Sequence, residues 1–250
     1  MKKIVLITGA TAGIGEAIAK LLAKNDYKLI ITGRRLERLE ELRNSLAADT
    51  DIHILNFDIR NETEVENAIN SLPAEWKEID VLINNAGLAV GLNHINDGVI
   101  DDWERMIDTN IKGLLYITRF VSPIMVQNKQ GHIVNISSIA GKEIYEYGNV
   151  YGATKHAVDA LSRAIRIDLV KDGIKVTNIA PGMVDTEFSL VRFKGDKKRA
   201  DKVYSGFTPL FGEDIAETVL FTLQQPAHVN LNDIVIMPTA QAAISVIHRA

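Results

Sequence analysis

Short runs rich in Val, Ile and Leu recur along the chain at residues 3–7, 28–32, 53–57, 81–84, 132–136, 175–179 and 233–237. Their β-branched, largely apolar character is that of strands buried on both faces of a parallel sheet. Between them, apolar residues return at helical spacing, for example Ile14, Ile18, Leu21 and Leu22 in the first crossover and Val158, Leu161, Ile165 and Leu169 in a later one. The alternation predicts βαβ units and hence an α/β fold, doubly wound around a seven-stranded parallel sheet.

No linker rich in Pro, Gly or Ser interrupts this pattern, and no repeat or low-complexity segment appears. Residues 1–250 therefore read as one domain, near the upper size that a single core supports. The one long irregular stretch, about 183–212, is expected to be a lid or binding loop that selects the substrate.

Charge and cysteine content narrow the partners. A net charge of −4 with no basic block argues against nucleic acid and against an anionic membrane surface, leaving a small molecule. The absence of cysteine excludes disulfides, thiolate catalysis and cysteine-bound zinc. His53, His94, His132, His156, His228 and His248 are scattered without ligand spacing, so no metal is expected. The N-terminal apolar run stops at Thr8-Gly9, short of a signal-peptide core, and a cytoplasmic location is expected.

Directly after the first run stands Thr8-Gly9-Ala10-Thr11-Ala12-Gly13-Ile14-Gly15, and the first helical pattern begins at its end. Strand, glycine turn and helix in that order form a dinucleotide-binding fingerprint. Glycines let the backbone approach a pyrophosphate, and the helix start offers free N–H groups and positive dipole. Gly9, Thr11, Gly13, Ile14 and Gly15 are the candidate contacts. The second run ends in Gly33-Arg34-Arg35, without the acid that would bind the 2′-hydroxyl of NAD. A guanidinium suits a phosphate, so Arg34 first and Arg35 second favour the 2′-phosphate of NADP.

Tyr151 and Lys155 stand four residues apart at the start of a helical pattern and so share a face. A phenol beside a cation can serve as general acid and base, because the cation favours the phenolate. Further marks are Asn84-Asn85-Ala86-Gly87 after the fourth run, Ser138 upstream of Tyr151, and Pro181-Gly182 after the sixth run. Together these motifs resemble the short-chain dehydrogenase/reductase family over residues 4–238.

The resemblance implies a sheet in the order 3-2-1-4-5-6-7 and a set of roles. Ser138 would hold the substrate oxygen, Tyr151 would transfer its proton, and Lys155 would lower the tyrosine pKa and bind the nicotinamide ribose. Asn110, in the helical stretch 103–126, would hold a water that links Lys155 to solvent. Asp58 with Ile59 would lie beside the adenine, and Ala86 and Gly87 near the adenosine ribose, with Asn85 in the same segment. Asn84 would brace the central strands. Pro181, Gly182 and Val184 would lie along the cofactor, and Thr186 at the carboxamide. A homotetramer is implied as well.

Residues 186–196 and the tail after 226 resemble the branch of NADP-dependent 3-hydroxy acid dehydrogenases. There Arg192, or failing it Lys194, would draw a substrate carboxylate, with Lys197 a third cation just beyond the segment. Two rivals share the cofactor motifs: a carbonyl reductase for neutral ketones, sugars or pteridines, and a non-catalytic NADP-binding sensor. The intact Ser138, Tyr151 and Lys155 speak against the sensor, which has no use for a proton relay.

Overall fold

The computed structural model describes residues 2–250. Each apolar run forms a strand: β1 (Lys3–Ile7), β2 (Tyr27–Gly33), β3 (Ile52–Asn56), β4 (Ile79–Asn84), β5 (Gly131–Ile136), β6 (Ile174–Pro181) and β7 (Asp233–Ile236). All seven pair in parallel in the order β3-β2-β1-β4-β5-β6-β7, as the resemblance implies.

The connecting helices are α1 (Gly13–Ala23), α2 (Leu36–Leu46), α3 (Glu62–Asn70), α4 (Ile100–Ile107), α5 (Leu114–Asn128), α6 (Asn149–Leu169), α7 (Phe188–Arg192), α8 (Lys197–Lys202) and α9 (Gly212–Leu223). Strand side chains alternate between faces, so each strand feeds two cores. Val5, Ile7, Leu29 and Ile31 pack with Ile18 and Leu22 of α1, Leu39 of α2 and Val219 of α9. Ile4, Leu6, Ile30 and Leu82 pack with Val65 of α3 and with Ile117 and Val121 of α5. This burial on both sides explains why the strands read as continuous apolar runs. Among the described residues no helix is long and apolar enough to cross a membrane.

Three details depart from the sequence pattern. The stretch 103–126 is not one regular helix, because a π-helical turn at Asp108–Gly113 separates α4 from α5 and carries Asn110. Such turns are frequent at functional sites. The stretch 183–212 is not wholly irregular, since it holds α7 and α8, the latter capped by Asp196, whose side chain accepts the Arg199 N–H at 3.1 Å. Its two ends are tied, Leu210 N–H donating to Met183 O at 2.9 Å and Asp185 N–H to Leu210 O at 2.8 Å. Past β7, a small antiparallel hairpin of β8 (Gln241–Ala243) and β9 (Val246–Ile247) folds back.

In β5, His132 is buried with Nε2 2.9 Å from Thr177 Oγ1. Burial, aided by Lys175 and Lys3, pulls its pKa down to about 3. The folded chain therefore holds a neutral ring where the unfolded chain is protonated below about pH 6.5. Its contribution to stability is complete above that value and is lost as pH falls toward 3, at up to ~1.4 kcal/mol per pH unit. Urea midpoints measured between pH 7 and pH 4 should fall less steeply for His132→Gln than for the wild type. An unchanged slope would assign the acid sensitivity to other groups.

Candidate active site

A cavity of about 650 Å³ opens at the carboxyl ends of β1 to β6, where Gly9, Arg34, Asp58, Ala86, Ser138 and Gly182 line it in turn. Its floor is the glycine turn. Gly9 and Gly13 take left-handed backbone, with φ of 69° and 57°. Gly15 packs so tightly that a Cβ would stand 2.4 Å from Gly9 O. The Asn85 side-chain amide donates to Thr8 O and Gly9 O at 2.9 and 3.1 Å. Thr8 Oγ1 in turn accepts the N–H groups of Asn85 and Ala86, each at 3.0 Å.

These bonds fix the turn against the end of β4. α1 begins at Gly13 with Ala12 as its cap, which supplies no side-chain acceptor, so the positive helix end is left to an anion. Gly9, Thr11, Gly13 and Ile14 line the cavity, whereas Gly15 lies behind it as packing. The turn fits a dinucleotide pyrophosphate.

Arg34 and Arg35 both line the cavity at the end of β2. Arg34 lies 3.6 Å from Asp58, whose carboxylate Arg60 clasps at 2.6 Å. Burial would raise the Asp58 pKa, but Arg60 and Arg34 bring it below its ordinary value. Arg35 turns across the glycine turn instead, donating to Thr11 Oγ1 at 2.8 Å and to Glu187 at 3.0 Å. Arg38 joins the same carboxylate at 2.8 Å. A strap thus joins α2 to the segment after β6, and Arg38 was invisible in the motif that singled out its neighbours.

The chemistry-bearing side chains converge above this floor. Ser138 precedes a short 3₁₀ turn, Ile139–Gly141, and its Oγ accepts the Ala140 N–H at 3.0 Å. Tyr151 and Lys155, one turn apart on α6, are both buried. Lys155 Nζ donates to Ile136 O at 3.0 Å and lies 6.0 Å from the Tyr151 ring centroid. Burial, with Tyr145 nearby, pushes the Tyr151 phenol well above its ordinary value, against the Ser138 hydroxyl and the Arg192 guanidinium. The relief expected from Lys155 comes from those two groups instead. Burial also pulls Lys155 down to about 8.

Asn110 stands behind the cavity wall. Its Oδ1 accepts the Leu88 N–H at 2.9 Å, and Nδ2 donates to Leu88 O at 2.9 Å and to Thr154 Oγ1 at 3.0 Å. One lone pair of Oδ1 is left over. A Cβ on Gly87 would lie 3.3 Å from that oxygen and 3.5 Å from Lys155 Nζ, so Gly87 sits between the two groups. Asn84 bonds Thr118 at 3.1 Å and Asn135 at 2.8 Å, a buried polar link from β4 to α5 and β5.

The outer wall comes from the segment after β6. Pro181, Gly182, Val184, Thr186 and Arg192 line the cavity, as do Ile59, Ala86, Gly87 and Asn85 from the other side. Thr186 Oγ1 accepts the Phe188 N–H at 3.3 Å, and its side chain abuts Gly13. Arg192 closes α7, donating through Nη2 to the Tyr145 hydroxyl at 2.6 Å. Its guanidinium stands 5.8 Å from the Tyr151 ring centroid. Lys194 points elsewhere, pairing with Asp102 at 2.8 Å, so it drops out as a second choice. Lys197 is exposed at the start of α8, outside the cavity lining. Tyr145 and Gln241 also line the cavity, although neither belongs to a local motif.

Comparison with known proteins supplies an independent measure. A family model described as short chain dehydrogenase matches residues 3–196. The NADP-dependent 3-hydroxy acid dehydrogenase of Salmonella typhimurium is 50% identical over 99% of this chain and 100% of its own length. Sulfoacetaldehyde reductase 2 of Chromohalobacter salexigens is 45% identical over 97% of this chain and 96% of its own. A solved serine dehydrogenase in its closed form with NADP+ superposes with a TM-score of 0.94 at 48% identity, over 99% of this chain and 100% of that one.

Proposed function

The chain belongs to the short-chain dehydrogenase family, and from that membership we propose an NADP-dependent oxidoreductase that interconverts the hydroxyl and carbonyl forms of a small 3-hydroxy acid such as serine or 3-hydroxypropionate. The observation that carries the reading is the single cavity whose wall holds the glycine turn, the Arg34 and Arg35 pair, Ser138 with Tyr151 and Lys155, and Arg192. Residues 183–212 form its substrate loop.

The N–H groups of Gly13 and Ile14 would receive the pyrophosphate, and Arg34 with Arg35 the 2′-phosphate. Asp58, Ile59, Asn85, Ala86 and Gly87 would flank the adenosine, with Pro181, Gly182, Val184 and Thr186 toward the nicotinamide. When bound, the nicotinamide delivers or accepts the hydride. Ser138 holds the substrate oxygen and Tyr151 exchanges the proton with it. A buried, protonated phenol suits the reduction, in which Tyr151 donates to the carbonyl oxygen. For oxidation it must first release that proton, a step that Ser138 and Arg192 favour. Asn110 would hold the water through which Lys155 reaches solvent.

A panel of L-serine, D-serine, 3-hydroxypropionate, 3-hydroxybutyrate, 3-hydroxyisobutyrate and neutral alcohols with NADP tests the reading. Turnover of the acids above the alcohols is expected, and preference for neutral alcohols would replace the reading by a general carbonyl reductase. The same proposal includes a cytoplasmic homotetramer. Exposed Leu115 on α5 and Ile167 on α6 offer apolar surface for it. Light scattering of the purified protein measures the assembly.

The cofactor reading carries its own expectation. NADP should bind more tightly than NAD, and Arg34→Asp should reverse the order, because each charge-assisted hydrogen bond is worth ~1.5–3 kcal/mol, about tenfold or more. Dissociation constants from nucleotide fluorescence check it. Equal binding of the two nucleotides by the wild type would defeat the assignment.

A further inference from the structure

The strap from Arg35 and Arg38 to Glu187 joins parts of the fold that the sheet holds apart. Arg35 follows β2 and Glu187 follows β6, with β1, β4 and β5 between them, about 19 Å at the usual strand spacing. Their side chains meet over Thr11, in the glycine turn after β1. Arg35 spans that turn, donating through Nε and Nη2 to Thr11 Oγ1 at 3.2 and 2.8 Å and through Nη2 to Thr11 O at 3.2 Å. Its Nη1 reaches Glu187 Oε2 at 3.0 Å, and Arg38 Nη1 donates to the other carboxylate oxygen at 2.8 Å.

Thr11, Arg35 and Glu187 all line the large cavity. The lining runs on to Arg34 and Asp58 at the ends of β2 and β3, and in the other direction to Ser138 after β5. A dinucleotide laid along it from Arg34 to Ser138 must pass the strap. Beside Glu187, Thr186 abuts the first residue of α1, since a Cβ on Gly13 would stand 3.1 Å from its side chain. The strap therefore lies across the glycine turn, whose positive helix end is the proposed seat of the pyrophosphate.

The chemistry of the strap is that of a tie that can open. Burial would raise the Glu187 carboxyl, yet Arg38 and Arg35 hold it below its ordinary value, so it stays charged. Each of the three side chains is 43% exposed, and water and salt compete for the pairs. The other ties of the segment are firmer: backbone bonds join Met183 and Asp185 to Leu210, Gly91 N–H donates to Arg192 O at 3.0 Å, and Lys194 pairs with buried Asp102. We infer that Glu187, with Arg35 and Arg38, is a latch over the cofactor, which lets NADP(H) pass when parted and sets how long it stays when closed. Glu187 and Arg38 are then positioning residues, and Arg38 acts from outside the cavity lining. The inference rests on the proposed seat of the pyrophosphate at the glycine turn.

Charge makes the test decisive. Glu187→Gln keeps the length of the side chain but removes a negative charge, so electrostatics alone would slow the release of an anionic cofactor. Loss of a latch speeds it. Stopped-flow release of NADPH, preloaded and chased with excess NADP, should be roughly three- to tenfold faster in Glu187→Gln than in the wild type, the worth of the exposed ion pairs lost. Arg38→Met should speed release about twofold or more by itself and add little in the Glu187→Gln background, because it reaches the cofactor only through that carboxylate. Calorimetric titration with 2′,5′-ADP, which carries the 2′-phosphate but lacks the nicotinamide half, should show Glu187→Gln binding it no more weakly than the wild type.

Slower NADPH release in Glu187→Gln would overturn the latch and make Glu187 a competitor for the two arginines. Weaker binding of 2′,5′-ADP, matching the change for NADPH, would overturn it as well, because the strap would then support the 2′-phosphate site alone. A strap that merely braces the fold would lower the unfolding temperature of the cofactor-free variants and leave release unchanged. If the wild type binds no NADPH, the cofactor reading fails and the latch with it, whereas ordinary binding with unchanged release removes the latch alone.

Discussion

Replacing Tyr151 by Phe is expected to lower turnover by roughly 10²–10⁴-fold, the usual worth of general acid–base catalysis. The substitution removes one hydroxyl and little else. The ring keeps its packing against Phe188, whose centroid is 5.7 Å away, and its place over Lys155. The glycine turn lies on a different element, held by Asn85 and Thr8, so nucleotide affinity should stay close to that of the wild type. Loss of turnover with retained nucleotide binding therefore isolates the proton step.

The wild type also carries a pH signature. Because burial raises the Tyr151 phenol above its ordinary value, its basic form is scarce at neutral pH. Oxidation, which needs that form, should speed up as pH rises through the alkaline range, and reduction should slow. Single-turnover rates in both directions across pH 6–10 give the comparison. Near wild-type turnover in Tyr151→Phe would send the proton through another group.

What the sequence could and could not reveal follows from the range of the interactions concerned. The strands were legible to within two residues of their bounds because both of their faces are buried, which leaves an apolar run that local reading detects. The glycine turn was legible for a similar reason: its conformation is dictated by residues next to one another. Asn110 falls within a helical pattern, yet nothing local marks the π-helical turn that carries it. The partner of its side chain, Leu88, lies 22 residues upstream, beyond the reach of a local pattern.

Other features were hidden by their partners rather than by their own composition. Arg35 and Glu187 meet across 152 residues, and Gln241 meets Met183 across 58. No spacing rule connects such pairs. The short helices α7 and α8 hold too few residues to establish an apolar period, so the substrate loop looked irregular. The signal for Tyr145 was weaker still, because it lines the cavity only through the path of the segment between Ser138 and Tyr151.

Arg192→Ala is expected to lower kcat/KM for 3-hydroxypropionate by ~10–100-fold, the range of a lost hydrogen bond to a charged group. Two effects contribute and must be separated. The first is the grip on the substrate acid, for which the guanidinium is placed at the end of α7, on the cavity wall beside Tyr145 and Tyr151. The second acts through chemistry, because Arg192 is one of the groups that hold the Tyr151 phenol down against burial. Its removal should shift oxidation to higher pH for every substrate, neutral ones included. Only the excess loss on the acid measures recognition. Measured at pH 9 to 10, where the phenol is least limiting, kcat/KM for the acid should still fall at least ~5-fold further than for a neutral alcohol. Arg192→Lys keeps a positive charge near the phenol but loses the planar fork, so it should restore the pH profile more fully than the preference for an acid. Acid and alcohol falling together at every pH would make Arg192 a support of Tyr145 and of the loop, and would leave the carboxylate to another donor.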